Sequence, residues 1–322
     1  MSLMAGSPVG LDRPDPARVA GPARPRPTRR LASWVHARGW GLPLVMGPLL
    51  LFLLTMLILP LGSIALMSLY ARGEAGVIVR TVSLHNYAEF LTTPVYLRIL
   101  FVSMVVGVVV ALVSLVVAYL PACVLALNRA GARNLLLLLL IVPFWTSFLI
   151  RTYAWIIVLG TQGVVNGMLK QAGVIDTSLG LLFSRGAVVL GLTHALLPFA
   201  IVPIYASVER IDDALLEAAA SLGARPWAVF TEVIVPMSVP GIIAAGVLVF
   251  IEAMGAFITP QLLGGPADIM IAMLVQQRFL ASYDWPLGSA VAVIYLVFTG
   301  LLMYASTVIR SLLARRTVGV ST

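Results

Sequence analysis

The chain has 322 residues, 60% of them hydrophobic and 11% charged, with a mean hydropathy of +1.02 and a formal net charge of +8. A soluble domain carries about 25% charged residues, so this composition excludes an ordinary water-soluble globule. It points to an all-α polytopic membrane protein, because the apolar runs match the ~20 residues a helix needs to cross a bilayer. The single cysteine, Cys123, lies in an apolar run and leaves neither a disulfide framework nor a cysteine metal site. The basic residues cluster at the ends of hydrophobic segments, where membrane topology accounts for them without nucleic acid.

Taken in order, residues 1 to 33 are rich in Pro, Gly and Arg ("DRPDPARVAGPARPRPTRR") and lack apolar periodicity, which predicts a disordered tail. A cleavable signal peptide is not expected: the first apolar run starts only near Leu42, is long, and has no small-residue cleavage site behind it. Six spans are predicted over 42–69, 97–127, 135–159, 187–207, 239–260 and 287–309, within a membrane domain of residues 34–312. Pro48, Pro60, Pro121, Pro198 and Pro203 fall in or near these runs, where neighbouring helices can satisfy the carbonyls they free. Residues 313–322 are expected to form a short tail.

Lys and Arg are twice as frequent on the side that takes the N-terminal tail, the 128–134 turn, the 209–237 insert and the C-terminus. The positive-inside rule therefore predicts that both termini and the insert are cytoplasmic. Lipid is the surrounding solvent for the rest.

The insert "DDALLEAAASLGARPWAVFTEVIVP" interrupts this apolar sequence with charge. Asp212 and Asp213 suit a helix start, and Leu215, Ala219 and Leu222 recur at spacings of four and three. Gly223 suits a helix end, Pro226 the first turn of a second short helix carrying Trp227 and Phe230, and Pro236 a stop before span five. Two short helices about a glycine hinge are predicted. Their pattern fits either an amphipathic loop at the lipid interface or a docking site for a soluble partner.

Glu217-Ala218-Ala219, three residues, Gly223, nine residues, then Val233-Ile234-Val235-Pro236 resembles the EAA loop of ABC importer permeases, E-A-A-x3-G-x9-I-x-L-P. Val233 and Val235 stand where that pattern has Ile and Leu. The resemblance implies a type I importer transmembrane domain whose coupling segment, residues about 217 to 230, seats on an ATP-binding subunit. Glu217, Ala218, Ala219, Gly223, Ala224, Pro226, Trp227 and Pro236 are the implied coupling residues. "PFWTSFLIRTYAW" with "GVVNGMLKQAGV", and "GAFITPQLLGGP" with "YDWPLGSA", are similar to the spermidine/putrescine-type branch of these permeases, so the likeness covers roughly residues 40 to 312. It implies a bacterial inner-membrane location and a small polar cargo, a polyamine or an amino-acid-like compound. It further implies a dimer of ATP-binding subunits, a second and related permease chain, and an extracytoplasmic binding protein meeting segments 70–96, 160–186 and 261–286.

The chain is not expected to be the motor. A phosphate-cradling loop ends in Gly-Lys-Ser/Thr, and the only lysine, Lys170, follows Leu169. No cofactor is expected on this chain; ATP and Mg belong to the partner ATPase.

Ionisable residues inside spans are costly and mark candidate function. Arg151 and Glu252 lie about 16 and 14 residues into spans three and five, roughly 21 to 24 Å from the cytoplasmic end at ~1.5 Å per residue. They fit either an ion pair tying two helices or groups facing the translocation cavity, with Trp145, Tyr153, Trp155 and Phe257 as aromatic neighbours on the pathway. A carboxylate beside aromatic rings suits an ammonium group; Arg151 favours a carboxylate or phosphonate end. His194 reads as a packing histidine, and Asn166 as a cap or turn residue. An ion-coupled secondary transporter would show an internal repeat with half-helices, and a membrane enzyme a cluster of His, Asp or Cys; the sequence displays neither.

Overall fold

The computed structural model describes residues 41–73, 78–128 and 130–318. The tail expected over 1–33 and the last four residues lie outside these, as do the side chains of Trp145 and of everything from 309 onward. Two compact units divide the chain, Met1–Leu61 and Gly62–Thr322. The described part of the first is the opening of helix α1 (Gly41–Met67), apolar at nearly every position and continuous through Pro48 and Pro60. Such all-round hydrophobicity suits a span.

The second unit starts with a two-stranded antiparallel ribbon, β1 (Ala71–Arg72) against β2 (Ile78–Val79). Helices follow as α2 (His85–Thr92), α3 (Pro94–Leu127), α4 (Ala130–Ile141), α5 (Phe148–Leu159), α6 (Val164–Gln171) and α7 (Arg185–Val208). The insert forms α8 (Asp213–Ser221) and α9 (Pro226–Val229), and α10 (Val235–Gly255), α11 (Ile258–Leu263), α12 (Ile271–Leu280) and α13 (Trp285–Val318) complete the chain. Among the described residues six stretches are long and apolar enough to cross a membrane: Met46–Met67, Pro94–Leu127, Phe148–Gln171, Arg185–Val208, Pro226–Gly255 and Trp285–Val308.

Three expectations need correction. Span three is not one helix over 135–159: α4 stops at Ile141, a 3₁₀ turn covers Val142–Trp145, and α5 starts at Phe148. Pro143 has no N–H to offer the carbonyl four residues back, and the rod breaks there. Span five does not run over 239–260: the helical path begins at Pro226 and ends at Gly255, and Pro260 belongs to α11. Pro236, expected to stop a helix, lies in the first turn of α10. A π-turn over Phe230–Ile234 precedes it, with the Val235 N–H bonded to the Phe230 carbonyl, one residue further back than in an α-helix. That wider turn makes room for the proline ring and carries the rod through. The last helix, α13, runs to Val318, and its stretch suited to crossing a membrane ends at Val308.

The core is the packing of α3, α7 and α10 against one another. With lipid outside, apolar burial gives little drive between helices, and close approach of small residues takes over. Ala118, Ala122, Ala200, Ala245 and Ala253 are fully buried in this way. Gly241 on α10 is the tightest point: a Cβ there would run into Ser207 and stand 2.6 Å from the Pro203 carbonyl of α7.

Polar clamps fix the connections away from the insert. Asn166, 1% exposed, donates to the Gly160 and Leu179 carbonyls at 3.0 and 3.1 Å and accepts from the Leu179 N–H at 2.8 Å; it is the turn residue expected. Arg185 Nε donates to Asp268 at 2.9 Å, and Arg72 pairs with Asp284 at 3.2 Å. Ser103 of α3 accepts the first N–H of α12, from Ile271, at 2.7 Å.

Candidate functional site

The insert is ordered by its own ends. Asp212 accepts the Ala214 N–H at 3.0 Å and starts α8. At the other end Gly223 adopts φ +80°, and the Ala224 and Gly223 N–H groups return to the Ala219 and Ala220 carbonyls at 3.1 and 3.0 Å. This left-handed glycine turn closes the helix without a side chain. Arg225 is extended and Pro226 opens α9. Neither α8 nor α9 has a buried residue.

Leu215, Ala219 and Leu222 do not share one covered face. Leu216 and Ala219 turn toward the body, whereas Leu215 and Leu222 are exposed, Leu222 at 88%. Trp227, 72% exposed, stacks on Phe230 with ring centroids 5.4 Å apart, and Phe230 meets Tyr119 of α3 edge-on at 5.7 Å. Glu217, Ala218, Gly223, Ala224 and Pro226 are likewise exposed. The base of the insert is firmer. Ile211 and Ile234 are buried, Tyr119 and Ser238 share a hydrogen bond of 2.8 Å, and Arg133 pairs with Glu209 at 2.7 Å. Neither contact was legible in the sequence, where these residues are separated by 119 and 76 positions.

Arg151 and Glu252 do not pair. Arg151 Nη2 donates to the Thr146 carbonyl at 3.4 Å, beside the break between α4 and α5, and the guanidinium lies over the Phe144 ring at 4.9 Å and the Phe148 ring at 6.0 Å. Its Nε and Nη1 are buried without a hydrogen-bond partner. Glu252 is exposed on α10 and takes part in no ion pair among the described residues. The sequence placed both at similar depth along their helices; the break in span three and the facing of each helix decide the rest.

Tyr153 and Phe257 are exposed on α5 and just before α11, and Trp155 is half-buried. Trp155 Nε1 donates to His194 Nδ1 at 3.3 Å, with the rings edge-to-face at 5.7 Å. The expected pathway set therefore contributes Arg151 and Trp155 to one neighbourhood, with Phe144 and His194 between them. The side chain of Trp145 lies outside the described residues.

Residues 115–319 match the family model described as binding-protein-dependent transport system inner membrane component. The spermidine/putrescine transport system permease protein PotB of Escherichia coli (strain K12) is 38% identical over 259 residues, 80% of this chain and 92% of that protein. Its Salmonella typhimurium (strain LT2) counterpart is 38% identical over 80% of this chain and 88% of its own length. Among solved structures, a chain of a bacterial alginate ABC transporter in complex with an alginate pentasaccharide-bound periplasmic protein superposes with a TM-score of 0.67. It is 18% identical and matches 86% of this chain and 96% of its own, a likeness of fold. This chain thus belongs to the binding-protein-dependent transport system inner membrane components: it is a multi-pass inner-membrane permease subunit of an ABC importer, with a type I transmembrane domain and with ATP hydrolysis on partner chains.

Proposed function

We propose that the exposed insert, Glu217 to Phe230, is the segment through which partner ATPases drive this subunit, and that it faces the cytoplasm together with both termini. The observation that carries this reading is the continuity of the helical path from Pro226 to Gly255. A force applied at Trp227 enters a rod long and apolar enough to cross a membrane, which packs tightly on α7 at Gly241. Exposed apolar residues on a locally capped knob suit a cleft on a soluble protein. Glu217, Ala218, Ala219, Gly223, Ala224, Pro226 and Trp227 form that knob, and Pro236 sits where the rod passes its π-turn. ATP and Mg are held by the partner, not by this chain.

The cargo is a small polar solute, a polyamine or an amino-acid-like compound; the likeness to spermidine/putrescine permeases supports the range. The pathway forms between this chain and a second, related permease, with Arg151, Tyr153, Trp155, Glu252 and Phe257 nearest the cargo and Trp145 alongside. A binding protein delivers the solute on the opposite face.

Affinity purification in mild detergent with identification of the co-purifying chains tests this. The expected result is an ATP-binding subunit and a second six-span protein, and ATP-dependent uptake once the complex is placed in vesicles. A chain that runs alone and transports without ATP overturns it.

A further inference from the structure

A groove of about 750 Å³ opens between α3, α7 and Trp155 of α5. Val105, Val109, Val113 and Val117 recur every fourth residue along one wall, and Leu190 and Leu197 stand on the other. This aliphatic lining is interrupted at one level, by Thr193 and His194, neighbours on α7.

Both residues are left with something to offer. Thr193 is 7% exposed, and its buried hydroxyl has no hydrogen-bond partner. A helical threonine ordinarily returns that group to the carbonyl four residues back, as Thr152, Thr231 and Thr299 do in this chain. His194 accepts the indole N–H of Trp155 at Nδ1. An imidazole that accepts at one nitrogen carries its proton on the other, so Nε2–H is a donor, and no hydrogen bond occupies it among the described residues.

No Asp or Glu lines the groove, and Arg185, at the end where α7 begins, is already paired with Asp268 at 2.9 Å. Behind the imidazole the Phe144 ring lies 6.4 Å from it, with the Arg151 guanidinium 4.9 Å from the far ring and two of its nitrogens unbonded. A fixed imidazole donor beside a hydroxyl that donates or accepts, in an aliphatic slot with Arg151 as the nearby cation without an ion-pair partner among the described residues, favours a solute with an apolar stem and an anionic or acceptor end.

We propose that His194 and Thr193 form a specificity site that takes the carboxylate of a short aliphatic solute, with its stem along the α3 valines. This rests on the importer reading above and narrows its cargo to amino-acid-like compounds rather than bare polyamines. A polyamine presents only donors: the Thr193 hydroxyl accepts one of them, but the imidazole Nε2–H is left facing an ammonium with no acceptor, whereas a carboxylate answers both groups. A lipid chain or a helix of the second permease would fill the slot but leave the hydroxyl and the imidazole unanswered.

4-Aminobutanoate and 1,4-diaminobutane test this, since they share a four-carbon stem and differ at one end. The complete importer is prepared with Cys123→Ala and Thr193→Cys, and alkylation of the introduced thiol by N-ethylmaleimide is followed by mass spectrometry. Leu197→Cys serves as a second reporter on the same wall. The expected result is labelling at both sites, slowed about threefold by 4-aminobutanoate at twice its Kd, the factor 1 + [L]/Kd, and unchanged by 1,4-diaminobutane. His194→Phe should remove the protection seen at Leu197→Cys. Equal protection by both compounds, protection by the diamine alone, or thiols that never react because lipid or a neighbouring helix covers them would overturn the site. Thermal denaturation of each complex reports folding, and ATP-driven uptake of its own cargo by the complex carrying Cys123→Ala alone tests the importer reading separately, so the site can fail while that reading stands.

Discussion

The insert at 212–236 and the connections at 160–184 and 264–284 are links of similar length between spans, yet they are held by opposite means. In the insert no residue of α8 or α9 is buried, order comes from the Asp212 cap and the Gly223 turn, and Leu222 and Trp227 project outward. In the other connections the order comes from buried polar side chains: Asn166 binds three backbone groups, and Asp268 and Asp284, each 7% exposed, hold arginines and nearby backbone N–H groups. A link that satisfies itself polar group by polar group is a finished scaffold. A link that is locally rigid but leaves large apolar residues exposed is what the docking role proposed for it requires.

This contrast can be broken experimentally, and the largest effect belongs to the exposed residues. Leu222→Asp with Trp227→Ala should lower ATP-driven uptake by roughly 30-fold, matching the ~2 kcal/mol of an interface anchor, while membrane content and thermal denaturation stay as in the wild type. Parallel loss of folded protein would show that these side chains hold the subunit itself. Asn166→Ala should do the reverse, costing about 2 kcal/mol of stability because the Gly160 and Leu179 groups lose their partner in a buried site. Thermal denaturation of the purified complex reads this, and an unchanged midpoint would mean that the clamp is decoration.

Smaller effects sharpen the comparison. Gly223→Ala meets no atom within 4 Å, so its cost, about 1 kcal/mol, arises from the φ of +80° alone. Limited proteolysis of the insert should report it as faster cleavage at 220–226 with the spans intact. A double-mutant cycle of Arg185→Gln and Asp268→Asn should return a coupling of only ~0.5 kcal/mol, since the arginine side chain is 50% exposed. A coupling several times larger would make this pair the main tie of the α7 start rather than one of several.

Much of this was open to inspection in the residues. Six spans were legible because each apolar run is long enough to cross a bilayer, a property that needs no neighbour to express itself. The insert was legible because Asp212, Gly223 and Pro226 act within a few residues of themselves. The break in span three was less so: Pro143 was a signal for it, but apolar residues on both sides masked the interruption. Pro236 misled in the other direction, since a π-turn absorbs a proline that an α-turn cannot.

Thr193 shows what a closer reading of the sequence could have raised: a threonine beside a histidine inside an apolar run asks for a partner. Which partner it has, or lacks, depends on the rotation of α7 and on Trp155 arriving from 39 positions away along the chain. The same holds for Arg151 and Glu252. Depth along a helix is arithmetic on the sequence at ~1.5 Å per residue, but facing is set by the packing of α3, α7 and α10, where small residues such as Gly241 let backbones close to contact. The sequence alone therefore determined that this chain spans a membrane six times and carries a capped insert, because hydropathy, caps and turns are local properties. Only the tertiary structure decided which charges stay unpaired and which polar groups face a groove, because those depend on contacts between helices distant in the chain.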